Sequence, residues 1–128
     1  MDYTGYLKIS MSQDELANFY QTGAGFEDLK ENEYLIIECC GSYLYYKMKD
    51  GLLQEVRYPQ LGNKLTGVMK PRNPEQYCAM DLLKDDEVPI KLITGRFGTG
   101  KSMSCIIAAL DAIQSGKFEK IVFIRNNV

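Results

Sequence analysis

The sequence predicts an α/β fold: a βαβ unit in the second half of the chain, preceded by a small antiparallel β module. Three observations carry this. The run Gly95-Arg96-Phe97-Gly98-Thr99-Gly100-Lys101-Ser102 fits the phosphate-binding loop pattern G-x-x-x-x-G-K-[ST] at every fixed position. Its flanks read as strand before and helix then strand after. The first half, by contrast, breaks into short apolar stretches separated by two-residue turn signals, the pattern of hairpins.

Taken in order, Thr4 to Ser10 alternates weakly and suggests a strand. Ser12-Gln13-Asp14-Glu15 has the spacing of a capping box and opens a short helix with Leu16, Phe19 and Tyr20 on one face, stopped by Gly23. Residues 34–40, 43–48 and 52–58 read as three strands of a meander, joined by turns at Gly41-Ser42 and Asp50-Gly51. This module is expected to curl into a small barrel-like unit over residues 1–62. Gly62, Asn63, Gly67, Pro71 and Pro74 interrupt all periodicity, so residues 63–73 read as a linker and 74–128 as the second unit.

In that second unit, Asn73 is placed to cap a helix with Pro74 at its first position and Gln76 at its third, where it can reach back as half of a capping box. Pro89 to Thr94 is a β-branched apolar run of the kind found in buried parallel strands. Met103, Ile106, Ile107, Leu110 and Ile113 recur at helical spacing with alanines between them, and Gly116 supplies the stop. Lys120 to Ile124 is a second unalternating apolar run, so strand, glycine loop, helix and strand form the βαβ context the loop motif requires, with a right-handed crossover.

The residue types dictate the chemistry. Gly95, Gly98 and Gly100 let successive backbone N–H groups converge into an anion nest that side chains would obstruct. The following helix starts where the loop ends and adds its unpaired N–H groups and positive dipole end. Lys101 is the catalytic candidate, its ammonium set against the β- and γ-phosphates, and Ser102 is the candidate ligand of Mg²⁺. The plain alternative is a glycine-rich turn with an incidental surface lysine. Gln76 has two readings of its own: a helix cap, which needs no ligand, or a reader of a base edge through an amide that both donates and accepts.

The stretch Lys70-Pro71-Arg72-Asn73-Pro74-Glu75-Gln76, then Ala79 and Leu82-Leu83, then Gly98-Thr99-Gly100-Lys101-Ser102, then Ile121-Val122-Phe123-Ile124-Arg125, resembles the opening of a PhoH-type ATPase domain, a P-loop NTPase similar in core to the superfamily 1 helicases. The resemblance covers roughly the last sixty residues. It implies ATP with Mg²⁺ as the bound pair, cofactor contacts from Gly95, Arg96, Phe97, Gly98, Thr99, Gly100, Lys101, Ser102 and Gln76, and Arg125 as a further site candidate. It also implies RNA or single-stranded DNA as a partner class, reached through the rest of a full-length protein. Two departures stand out: Arg96-Phe97 replaces a small apolar pair, and Asn126 stands where the family often has proline. In relatives that carry a PIN-type nuclease, a small β segment sits between nuclease and ATPase; with the sequence starting at Met1, no such nuclease is expected in these residues and its activity is not carried over.

Composition narrows the partners. The 128 residues carry a formal net charge of −2 and no histidine, with a calculated pI of about 5.2, which is not the basic footprint of a nucleic-acid binder. Tyr34, Tyr43, Tyr45, Tyr46 and Tyr58, with Lys47, Lys49 and Arg57 nearby, could stack bases of a single strand, but alternation divides them between two faces and the charge favours a structural role. Adjacent Cys39 and Cys40 are expected on opposite faces of a strand, and with Cys78 and Cys105 they show no zinc spacing, which suggests reduced thiols in a cytoplasm. No signal segment or membrane-spanning run is visible.

The acidic residues Asp81, Asp85, Asp86, Glu87 and Asp111 do not follow a third apolar strand, where the Mg²⁺-holding carboxylate of a phosphate-loop ATPase belongs. These residues are therefore expected to bind ATP without hydrolysing it by themselves. The competing function class is a non-catalytic adaptor with a vestigial phosphate loop. Two strands and one helix also leave both strand edges and one helix side uncovered, so self-association or completion by further chain is expected.

Overall fold

The computed structural model describes residues 4–23, 25–26, 28–63, 67–94 and 101–122, and for Asn63, Lys101 and Ser102 the backbone alone. The chain divides into two units, Met1–Arg57 and Tyr58–Val128.

The first unit contains β1 (Tyr6–Ser10), α1 (Gln13–Thr22), β2 (Tyr34–Cys39), β3 (Ser42–Lys49) and β4 (Leu52–Glu55), with the strands in spatial order β1-β2-β3-β4. The sheet is open, and it is not wholly antiparallel: β1 runs parallel to β2, in register from Tyr6 opposite Tyr34 to Ser10 opposite Glu38. The intervening α1 makes this a βαβ crossover, a connection that the short weak alternation of residues 4–10 does not announce. The capping box forms as expected, with Glu15 N–H donating to Ser12 Oγ at 3.2 Å and Ser12 N–H to Glu15 Oε1 at 3.1 Å. Gly23 closes the helix in the left-handed region at φ 62°.

Leu16 and Phe19 on α1 pack against Leu35 and Ile37 of β2, joined by Ile9, Leu44, Tyr46 and Leu53. Phe19 meets Phe26 and Tyr46 edge-on at 5.6 and 5.3 Å between ring centres. Leu35, Ile36 and Ile37 are fully buried in the central strand, each stabilising the fold by about 1.5–3 kcal/mol. The β2–β3 turn falls at Cys40-Gly41, one residue earlier than the expected Gly41-Ser42, because Cys39 pairs with Ser42. Both turn residues have positive φ, 56° and 80°, as a type I′ hairpin requires. Asp50-Gly51 turns as expected, and the Glu31 carboxylate accepts the Asp50 N–H at 2.8 and 3.0 Å.

Glu33 ties three segments together at the start of β2. Its carboxylate accepts from Lys30 N at 2.7 Å, Thr4 N at 3.2 Å and Thr4 Oγ1 at 3.1 Å, although the residue is only 5% exposed. Burial by itself would raise its pKa, but these donors and the Lys30 charge outweigh it and hold the carboxyl below its usual 4.5.

The second unit contains β5 (Leu61–Asn63), β6 (Gly67–Met69), α2 (Pro74–Lys84) and α3 (Lys101–Gln114). Residues 63–73, read from sequence as a linker, include β6, which pairs with β5 as a hairpin. Tyr58 also belongs here, its ring edge-on to Tyr77 at 5.8 Å. Leu61, Met80 and Ile107 form the core, with Met69, Leu83 and Ala108 around it. α3 stops at Gly116, which with φ 82° lets its own N–H reach Ile113 O and the Lys117 N–H reach Ala112 O, both at 3.0 Å.

The two runs expected as strands are not laddered where they are described. Residues 90–94 and 120–122 form no strand, and Ile90 and Leu92 are 87% and 83% exposed. A parallel strand of this composition needs cover on both faces and a neighbour on its edge, and the described residues supply neither. Both runs nevertheless border one open groove of about 450 Å³ along α3, lined by Pro89, Lys91, Phe118 and Ile121 among others.

Because the folded pKa of Glu33 is lowered, its contribution to stability is complete above pH 4.5 and is lost as pH falls through the lower folded value. Glu33→Gln should destabilise the first unit by about 1–3 kcal/mol at neutral pH and flatten the acid limb of its stability profile, measured by denaturant unfolding across pH.

Candidate nucleotide-binding site

The glycine loop ends where α3 begins, at Lys101. Residues 95–100 and Arg125 lie outside the described residues, as do the side chains of Lys101 and Ser102. What the structure supplies is the helix that follows the loop in the chain. The first turn of α3 holds no acidic side chain, whereas α1 carries Asp14 and Glu15 and α2 carries Glu75 in theirs. The positive end of its dipole is thus left uncompensated by its own first-turn side chains, an arrangement suited to an anion.

α3 is held by its inner face. Ile107 packs with Leu61 and Met80, and the buried Ser104 hydroxyl donates to Met69 Sδ at 3.5 Å, which attaches the start of the helix to the β5–β6 hairpin. Met103 and Ile106, apolar and in the expected helical rhythm, remain exposed. The rhythm therefore describes a helix with more apolar surface than these residues cover.

Gln76 sits at the start of α2, where the Asn73 cap forms but the expected capping box does not close. Asn73 Oδ1 accepts the Gln76 N–H at 2.8 Å, and Gln76 Oε1 accepts the Arg72 N–H at 2.9 Å. The reach is to Arg72, one residue beyond the cap, which clasps the chain entering the helix. At the other end of α2, Lys91 Nζ donates to Leu83 O at 3.0 Å. Burial lowers the Lys91 pKa, with Asp85 and Asp86 partly restoring it. No sequence signal marks this cap, since the lysine arrives from a separate segment. Asp86 itself pairs with Lys117 at 2.8 Å, an exposed contact of the solvated kind.

The tyrosines divide as alternation predicted. Tyr46 is in the core, its pKa pushed up to about 12 by burial and then by Tyr20 and Glu55, and Tyr34 is buried. Tyr43 and Tyr45 lie on the face opposite Tyr46, the face that Tyr34 shares through its pairing with Lys47; the rings of Tyr43 and Tyr45 are 6.4 Å apart between centres, and Lys8 Nζ stands 5.5 Å from the Tyr43 ring centre. Among the described residues no cluster of three or more cysteine or acidic side chains could hold a metal ion, and no helix is long and apolar enough to cross a membrane.

The family model for PhoH-like proteins matches residues 68–128, from β6 through α2, the glycine loop and α3. Residues 68–128 belong to the PhoH-like family. Two curated relatives named Protein PhoH2 are similar to nearly the whole chain. That of Thermobispora bispora is 31% identical over 129 aligned positions, covering 96% of this chain and 29% of the relative. That of Bacillus subtilis is 25% identical over 138, covering 96% and 30%. The likeness therefore includes the first unit as well as the PhoH-like segment, and the chain spans under a third of the length of either relative. No solved structure matches it. The whole loop motif lies within the matched stretch.

Asn73→Ala should lower the stability of the second unit by about 1 kcal/mol, measured by thermal unfolding without nucleotide, since it strips the N-terminal acceptor from α2.

Proposed function

We propose that the PhoH-like segment binds ATP with Mg²⁺ through the loop Gly95 to Ser102, as the nucleotide-binding part of a PhoH-like ATPase. The observation that carries this reading is the complete G-x-x-x-x-G-K-[ST] pattern running directly into a helix whose first turn has no acidic side chain, inside the stretch matched by the family. The loop's backbone N–H groups and the N-terminal N–H groups of α3 would cradle the phosphates. Lys101 would neutralise the β- and γ-phosphates, and the Ser102 hydroxyl would hold Mg²⁺, which supplies charge neutralisation between those phosphates when bound. Arg96 and Phe97, within the loop sequence, would cover the phosphate end. Gln76, whose Oε1 accepts the Arg72 N–H, is the candidate reader of the adenine edge. Hydrolysis, and coupling to RNA or single-stranded DNA, are proposed for the full-length protein.

Mg-ATP should raise the unfolding temperature of the wild-type chain and leave Lys101→Ala unmoved, because a ligand bound only to the folded state stabilises it by about 2.7 kcal/mol at about 100 times Kd. Equal shifts in both, or none in either, would favour the adaptor reading. Gln76→Ala should reduce the ATP shift while leaving the shift from inorganic tripolyphosphate intact, once each is referenced to the variant's own nucleotide-free transition.

A further inference from the structure

Cys39 ends β2 and Cys40 is the first residue of the turn into β3. Consecutive residues of a continuous strand would send their sulfurs to opposite faces. Here the left-handed backbone of Cys40, φ 56°, takes it out of the strand, and the two Sγ atoms lie 3.3 Å apart. Both thiols are free, Cys39 buried and Cys40 exposed. Asparagine, aspartate or glycine would fit that backbone better than cysteine, so turn geometry does not explain the thiol at position 40.

The separation selects among ligands. A disulfide needs about 2.05 Å between sulfurs, so the pair would have to close by more than about 1 Å inside a turn pinned by the Cys39–Ser42 pairing. One atom bonded to both sulfurs at about 2.3 Å, the length of a zinc–thiolate bond, would subtend about 92° across 3.3 Å. That near-right angle is the bond angle of a trivalent, pyramidal element carrying a lone pair. It is too acute for a linear two-coordinate ion, and zinc asks for four ligands at wider angles.

We propose that Cys39 and Cys40 form a chelating dithiol site for a monosubstituted trivalent arsenical, built into the β2–β3 turn. Two As–S bonds form as the As=O bond of the arsenoxide breaks. Both thiol protons leave with that oxygen as water, and no electrons are transferred. The first bond exchanges readily with free thiols; the second closes within the molecule, so retention exceeds that of a lone thiol by about 100-fold or more. Cys78 and Cys105 are single thiols on separate helices, and burial, with Asp81 and Glu75 nearby, pushes Cys78 up to about 12. The site is in the first unit and is independent of the nucleotide reading.

The test is intact-mass analysis of the full chain after phenylarsine oxide treatment and desalting in excess glutathione. Wild type and Cys105→Ser should each keep a single arsenical, and Cys39→Ser and Cys40→Ser should need about 100-fold more reagent for the same occupancy. Cys40 is exposed, so Cys40→Ser keeps the fold, which circular dichroism checks. Failure of the wild type to retain the arsenical, or equal retention by a folded Cys40→Ser, would overturn the proposal.

Discussion

The packing of Ile107 against Leu61 and Met80 is the contact on which the phosphate-loop half of the molecule depends. It joins three elements that local sequence alone would leave separate: a short hairpin, the capped helix α2 and the helix that follows the glycine loop. Burying three large apolar side chains stabilises this junction by about 1.5–3 kcal/mol apiece, which is substantial where few other described residues of the unit are buried. Because α3 is fixed there, the position of its N-terminus is fixed too.

The first unit is organised around a different constraint. β2 is central, with Tyr34 to Ile37 all buried, and its entry is secured by the Glu33 carboxylate. A buried carboxylate is costly unless its oxygens are satisfied, and here two backbone N–H groups and a hydroxyl satisfy them. The result ties Thr4, just before β1, and Lys30 to the ionised carboxylate at the entry to β2.

Local signals were legible wherever a few neighbouring residues settle the matter. The Ser12–Glu15 capping box, the Asn73 cap with Pro74, the stop at Gly116 and the Asp50-Gly51 turn all form where the residue types place them. Readings that needed distant partners fared differently. The turn at Cys40-Gly41 is displaced by one residue because the β2–β3 register decides it, and that displacement brings together two sulfurs expected on opposite faces. The apolar runs at 90–94 and 120–122 read as strands from composition, yet composition cannot supply the neighbours that a parallel strand requires.

The sequence by itself determined the PhoH-like character of the second half, the loop motif from Gly95 to Ser102, the starts of α1 and α2 and the stops at Gly23 and Gly116, because each rests on residue types at short fixed spacing. Only the tertiary structure decided that β1 pairs parallel to β2 beneath α1, that the hairpin of Leu61 to Met69 joins the core under α3, and that Lys91 caps α2. Those arrangements depend on which surfaces meet across many residues, and burial rather than local propensity selects them.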